Sequence, residues 1–247
     1  MGRSAPTVGH VRVLVVCAVA DEARAAVRRL GPTRPTTVGP YRSAVASEGD
    51  PGVAVVAVAC GIGEAAAASA TATALALDPS IDLVLNAGIA GGFAPRVAVG
   101  DVVIANRIVA ADLGAEEPGS PGARVPLSAL GYSGGDITCD PSLVRRAASL
   151  TNAHVGTILT VSTVTASAER IDDFVRHHPE ALAEAMEGHG AAVAAVAFGT
   201  AFLELRTISN PVGVRDPKSW SIEDALDALA EAMHELLMAP DSDRLVR

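Results

Sequence analysis

The sequence predicts an α/β fold: a single domain with a mostly parallel, mixed central sheet flanked by helices. Three observations carry this reading. Continuous apolar runs such as VRVLVVCAVA (11–20) and VAVVAVAC (53–60) have the signature of strands buried on both faces. Alanine-rich helical stretches alternate with those runs, the pattern that builds a parallel sheet. Hydrophobic residues make up 49% of the chain and aromatic residues only 3%, so Ala, Val, Leu and Ile must build the core.

Taken in order, 11–20 is a strand and DEARAAVRRL (21–30) a helix, with acids in its first turn and Gly31-Pro32 as its stop. The strand at 53–60 turns at Gly61-Ile62-Gly63 into a helix over 64–77, ended by Asp78-Pro79. IDLVLNAG (81–88) is a third strand that runs into a glycine-rich turn at Ile89–Gly92. Residues 99–114 read as a strand pair or one long strand. The stretch 113–140, rich in Gly, Pro and Ser, is either a lid or a surface excursion. Asp140-Pro141 starts a short helix, 155–164 is a strand, and a helix lies around 168–177. ALAEAME (181–187) fits a strand or a helix start, 190–199 is helical, and 201–210 is a strand broken by Pro211. The last element is an amphipathic helix over 221–238, with Ser221 as its N-cap. Residues 1–10 are expected to be a flexible leader, 11–240 the domain, and 241–247 a flexible tail.

Several function classes are disfavoured. The formal net charge is −9 and no Lys/Arg run exceeds two, so neither nucleic acid nor an anionic membrane surface is an expected partner. The apolar segment 11–20 is too short to span a bilayer. Cys17, Cys60 and Cys139 are widely spaced and lack metal-ligand spacing, which reads as buried thiols in a reducing, cytoplasmic setting with no metal. GIAGG lacks the G-x-G-x-x-G spacing of a dinucleotide site, and no P-loop or HExxH motif occurs, so no cofactor is expected.

In open α/β sheets ligands bind at the carboxyl ends of strands. Asp21-Glu22, Gly88–Gly92, Met186-Glu187 and Asn210 all fall at such ends. Each also has a plainer explanation. Glu22 suits a helix first turn, the glycines suit a tight turn, and Asn210 before Pro211 suits a turn. Glu187, set between apolar runs, is harder to explain away, because a buried carboxylate needs a partner or a ligand. Arg206 lies four residues before Asn210, on the same strand face if alternation holds.

Together VLVVCAVADEA, VACGIGEAAAA, LNAGIAGGFAPRVAVGDVVIA, TILTVSTVTAS, EAMEG and FLELRTISNPVG resemble the nucleoside phosphorylase superfamily, in the methylthioadenosine/adenosylhomocysteine nucleosidase branch. EAMEG with SNPVG and a following R-D-x-x-x-W looks most like futalosine hydrolases of an alternative menaquinone pathway. The resemblance implies a small-molecule nucleoside as substrate, hydrolysis of its N-glycosidic bond, and a homodimer or higher homo-oligomer. It assigns Glu22 to water activation, Met186 and Glu187 to the ribose, and Gly91 and Ser167 to the pocket lining, with Arg206 a guess as the partner of Glu187. Asn210 falls where adenine nucleosidases carry an aspartic acid. An amide cannot deliver a proton, but it can donate to a six-oxo group or to nitrogen seven, which implies a 6-oxopurine such as hypoxanthine as leaving group. Alternatives are an adenine nucleosidase, a purine nucleoside phosphorylase with Arg96 as anion contact, and a non-catalytic nucleoside-binding protein. Phe93, Phe198 or Trp220 is expected to supply an aromatic lid, and Arg215 or Lys218 to meet the 5′ substituent.

Overall fold

The structure, a computed structural model, describes residues 11–48, 53–119, 124–213 and 216–238. The expected leader and tail and Arg215 lie outside the described residues. The chain runs β1 (Val11–Cys17), α1 (Ala20–Val27), β2 (Thr33–Val38), β3 (Tyr41–Glu48), β4 (Val53–Ala59), α2 (Glu64–Leu77), β5 (Leu83–Gly92) and β6 (Val102–Ala110). The short strands β7 (Gly114–Glu116), β8 (Arg124–Pro126) and β9 (Asp136–Thr138) follow, then α3 (Pro141–Thr151), β10 (His154–Thr160) and α4 (Ala168–His177). The order closes with β11 (Ala181–Ala185), α5 (Gly188–Phe198), β12 (Ala201–Pro211) and α6 (Ile222–Met238).

One ten-stranded mixed sheet organises the molecule, in the order β11-β10-β6-β12-β5-β1-β4-β3-β2, with β9 on β6. Its centre is parallel: β4, β1, β5 and β12 pair in one direction. The antiparallel additions are the β2–β3 hairpin against β4, and β12 against β6. A further antiparallel pairing joins β11 to β5, so β11, β10, β6, β12 and β5 form a closed ring of strands. Val15, Val16, Leu85, Ile104 and Leu203 fill the core with no exposed surface, as a sheet covered on both faces requires.

Local chemistry explains the element ends. Asp140 accepts from the backbone N–H groups of Ser142 and Leu143 at 2.8 and 2.9 Å, and Pro141 needs no donor in the first turn of α3. Burial pushes the Cys60 and Cys139 thiols up to about 12, and all three cysteines are free and buried.

The structure resolves the open readings. Residues 181–185 are a strand, and one strand spans Val102–Ala110. The expected glycine turn at 88–92 is instead strand: β5 continues to Gly92, because β12 flanks it on one side and β11 on the other. The 113–140 stretch carries a two-stranded sheet, β7–β8, and β9. None of its described residues lines the central cavity, which favours the surface excursion. The β2–β3 hairpin escaped the sequence reading because its exposed strand TRPTTV lacks an apolar run.

Helices α2 and α5 approach closely at Gly190, where an added Cβ would sit 2.0 Å from the Glu64 carbonyl oxygen. A Gly→Ala change inside a helix ordinarily stabilises by roughly 0.5–1 kcal/mol. Gly190→Ala should reverse that sign and destabilise by about 1–3 kcal/mol through overpacking, read as a lowered urea midpoint.

Candidate active site

A cavity of ≈ 240 Å³ opens at the carboxyl ends of β1, β5, β10, β11 and β12. The closed ring of strands brings these ends together. Glu22, Gly91, Met186, Glu187 and Asn210 all line the cavity, so five of the seven residues singled out from the sequence share it.

Glu22 lies in the first turn of α1, nearly fully buried. Its Oε2 accepts from the backbone N–H groups of Ala18 at 2.9 Å and Val19 at 3.2 Å, the second bond closing the start of the helix. Its Oε1 accepts from the Ile89 N–H at 2.9 Å, across from β5. Burial holds its pKa above the usual carboxylate range, with Glu187 adding to the rise, while Arg206 and the Ile89 and Val19 amides pull it down. A carboxylate tuned upward in a cavity is suited to proton abstraction near neutral pH.

Glu187 lies two residues past β11, at the N-cap of α5. It accepts from the Gly63 N–H at 3.1 Å and the Met186 N–H at 3.3 Å, and Arg206 Nη2 stands 3.4 Å from its Oε2. Arg206 itself is fully buried and is absent from the cavity wall. The guessed pairing with Glu187 is present, and it puts Arg206 beneath the cavity rather than on its wall. Its Nε donates to Glu204 Oε1 at 2.9 Å, and its Nη2 also donates to Asn86 Oδ1. Burial drives Glu204 upward in pKa against the pull of Arg206. Its Oε2 has no hydrogen-bond partner among the described residues.

Gly88 lets this arrangement close. A Cβ there would lie 2.4 Å from Glu22 Oε1 and 2.9 Å from Arg206 Nη1.

Asn210 ends β12. Its Oδ1 accepts from the Ser209 hydroxyl at 2.8 Å and its Nδ2 donates to the Pro211 carbonyl at 3.0 Å. The alternation argument linking Arg206 to Asn210 fails locally, because the pairing of β12 with β5 shifts register between Ile208 and Asn210. Ser167 is corrected too. It is exposed and caps α4 by accepting from the Arg170 N–H at 3.3 Å, while Thr165 lines the cavity instead. Of the three candidate aromatic lids, Trp220 lines the cavity, Phe93 is buried elsewhere, and Phe198 is exposed.

The sequence reading missed Glu184, Thr165 and Ser209 on the wall, and Asn86 and Glu204 below it. A signal existed. Glu184 in ALAEA and Glu204 in FLELR are acids inside buried strands, where an acid needs a partner or a ligand. No Lys or Arg lines the cavity among the described residues, and Arg96 donates instead to the Ala181 carbonyl at 2.9 Å.

The family model described as "Phosphorylase superfamily" matches residues 12–239. A futalosine hydrolase from Streptomyces coelicolor is 52% identical over 157 residues, which is 63% of this chain and 65% of that protein. A second, from Acidothermus cellulolyticus, is 43% identical over 62% of this chain and 64% of its own length. These matches therefore span a little under two thirds of both relatives. An S-adenosylhomocysteine nucleosidase from Streptococcus pyogenes, solved in complex with 5-methylthiotubericidin, superposes with a TM-score of 0.77 at 25% identity, covering 94% of this chain and 98% of that one.

Removing the buried cation should unfold more than the site. Arg206→Met leaves the fully buried Glu204 unpaired and should destabilise by about 3–5 kcal/mol in a denaturant titration, well beyond a typical surface change.

Proposed function

The chain belongs to the phosphorylase superfamily, and from that premise we propose that it hydrolyses the N-glycosidic bond of a 6-oxopurine nucleoside. The substrate we favour is futalosine, cleaved to hypoxanthine and dehypoxanthine futalosine within menaquinone biosynthesis. One observation carries the reading: Glu22, Glu187 and Asn210 meet in one cavity whose described wall holds no cation to bind phosphate. The names of the relatives from Streptomyces coelicolor and Acidothermus cellulolyticus agree with it.

In this reading the bond between C1′ and the purine nitrogen lengthens first, leaving an oxocarbenium-like sugar as in other glycoside hydrolysis. Glu187 accepts hydrogen bonds from the ribose hydroxyls, and Met186 packs on the sugar. The electron pair of the broken bond passes to the purine. Asn210 stabilises it there, because its Nδ2 has a second hydrogen beyond the one given to Pro211. Glu22 takes a proton from water as the water oxygen bonds to C1′. Glu22 then gives that proton up to solvent, while the departing purine anion picks one up from solvent to leave as neutral hypoxanthine.

The second reading is an adenine nucleosidase, favoured by the fold of the Streptococcus pyogenes enzyme. Asn210 argues against it, since an amide cannot supply a proton to the leaving base. A phosphorylase lacks its anion contact, because Arg96 is turned to Ala181. A non-catalytic nucleoside-binding protein has no use for a buried, raised-pKa carboxylate beside the sugar site.

We also propose that the protein is cytoplasmic and works as a homo-oligomer. Helix α5 carries no acid, Lys or Arg, yet exposes Val193, Val196 and Phe198, and Ile62 at the cavity rim is 65% exposed. An apolar face of that kind marks an interface.

Three outcomes follow. Incubated with futalosine, inosine and methylthioadenosine, the protein should release hypoxanthine from futalosine; release of adenine alone would overturn the substrate assignment. Glu22→Gln should lower kcat by about 10²-fold or more. The base must be deprotonated to act, so a raised pKa makes wild-type activity fall, on acidification, at a higher pH than an ordinary carboxylate would give. Glu22→Gln should erase that limb of the pH profile, and its persistence would remove Glu22 from the role. Asn210→Asp should shift preference toward adenine nucleosides, measured as a ratio of kcat/KM values; an unchanged ratio would show that Asn210 does not read the base.

A further inference from the structure

The cavity holds a third carboxylate that the mechanism above does not use. Glu184 lies on β11 and is nearly fully buried, yet it lines the cavity wall. Strand register fixes where it stands. Glu184 pairs with Gly91 across the β11–β5 ladder, and Asn210 pairs with the same Gly91 across the β12–β5 ladder. The three residues form one row across three strands, and directly paired residues share a sheet face. Neighbouring strands lie roughly 4.8 Å apart, so the two outer positions are separated by about 9–10 Å. That is the scale of a bicyclic base with a hydrogen bond at either edge. Gly91 leaves the middle of the row bare: a Cβ there would meet Val212 Cγ2 at 3.0 Å and Asn210 Nδ2 at 3.5 Å.

We propose that Glu184 is a specificity residue that accepts a hydrogen bond from the N1–H edge of a 6-oxopurine lying over Gly91, while Asn210 donates to the opposite edge. The inference rests on the 6-oxopurine reading and deepens it.

The carboxylate is held ready for this. Its Oε1 accepts from the Thr165 N–H at 2.8 Å, and its Oε2 accepts from the Thr165 hydroxyl. Arg170 Nε donates to that hydroxyl at 3.2 Å. Arg170 is in turn fixed by Asp112 at 2.7 Å and stacks over Phe174 at 4.9 Å from the ring centroid. Each carboxylate oxygen has taken one donor and keeps acceptor capacity for another. A 6-oxopurine presents N1–H as a donor, with O6 and N7 as acceptors. Adenine presents an acceptor at N1, which would face the carboxylate lone pair to lone pair. An acceptor at one end of the row and an amide donor at the other therefore complement hypoxanthine, and the acceptor end rejects adenine. Sites that pair with a substrate hydrogen discriminate strongly against analogues lacking it.

The test is calorimetric binding of hypoxanthine, 1-methylhypoxanthine and adenine to the full chain. Wild type should bind hypoxanthine at least about tenfold tighter than the 1-methyl compound, which has no N1–H and carries a methyl where the carboxylate stands. That comparison needs no variant. Glu184→Gln keeps the shape and can donate to adenine N1, so it should narrow the hypoxanthine-to-adenine preference by about tenfold or more. A purely structural role in anchoring Thr165 would move neither ratio. Equal binding of hypoxanthine and its 1-methyl derivative, or an unchanged preference in folded Glu184→Gln, overturns the assignment of Glu184 and leaves the hydrolase reading standing. A wild-type protein that prefers adenine to hypoxanthine overturns both.

Discussion

Arg206 is fully buried, and a guanidinium does not shed its proton in a protein interior. The molecule must therefore surround it with negative charge, and Glu187 and Glu204 supply that charge, with Asn86 adding a neutral acceptor. The consequence runs both ways. The cation lets acidic side chains stand beneath and beside an otherwise apolar cavity, where an unpaired carboxylate would be costly. Those carboxylates in turn fix the cation at the level of Gly88, within reach of Glu22. An aliphatic residue at 206 would remove the reason for the acids to be there, and an added side chain at 88 would push the charges apart.

The closed ring of strands supplies the geometry that this charge cluster needs. An open parallel sheet offers a crevice at its carboxyl edge. In this molecule the pairing of β11 with β5 curls that edge round, so that Glu187, two residues past β11, shares a cavity with residues of β5 and β12 and with Ala18 and Val19 just after β1. Glycine positions on β5 keep the curl passable. Gly88 admits the Glu22 carboxylate, and Gly91 leaves a bare floor between Glu184 and Asn210. Glu22, Glu184 and Asn210 thus sit on strands and on the first turn of a helix rather than on long loops, which favours fixed geometry over induced closure.

Much of this was legible in the residues. The continuous apolar runs at 11–20 and 53–60 announced buried strands, and Glu22, Glu187 and Asn210 stood out as polar groups at strand ends. What stayed hidden depends on partners distant in sequence. The glycines at 88–92 looked like a turn because only the pairings to β11 and β12 make them a strand. Arg206 was guessed as the partner of Glu187, but its burial was hidden, because Glu204 two residues back and Asn86 on β5 enclose it only once β12 lies beside β5. Ser167 matched a family position, yet its hydroxyl caps α4 instead. The register shift after Ile208 broke an alternation argument that is sound only for an unbulged strand. Glu184 was visible as an acid inside ALAEA, but its role needed the row through Gly91.

The central claim is that water, activated by Glu22, is the acceptor in a cavity whose described wall holds no phosphate-binding cation. The most direct test is to run futalosine cleavage in ¹⁸O-labelled water with saturating inorganic phosphate and to weigh the sugar product. One ¹⁸O at the sugar C1 hydroxyl, with no sugar 1-phosphate, is the predicted result. A sugar 1-phosphate with no label at C1 would contradict it.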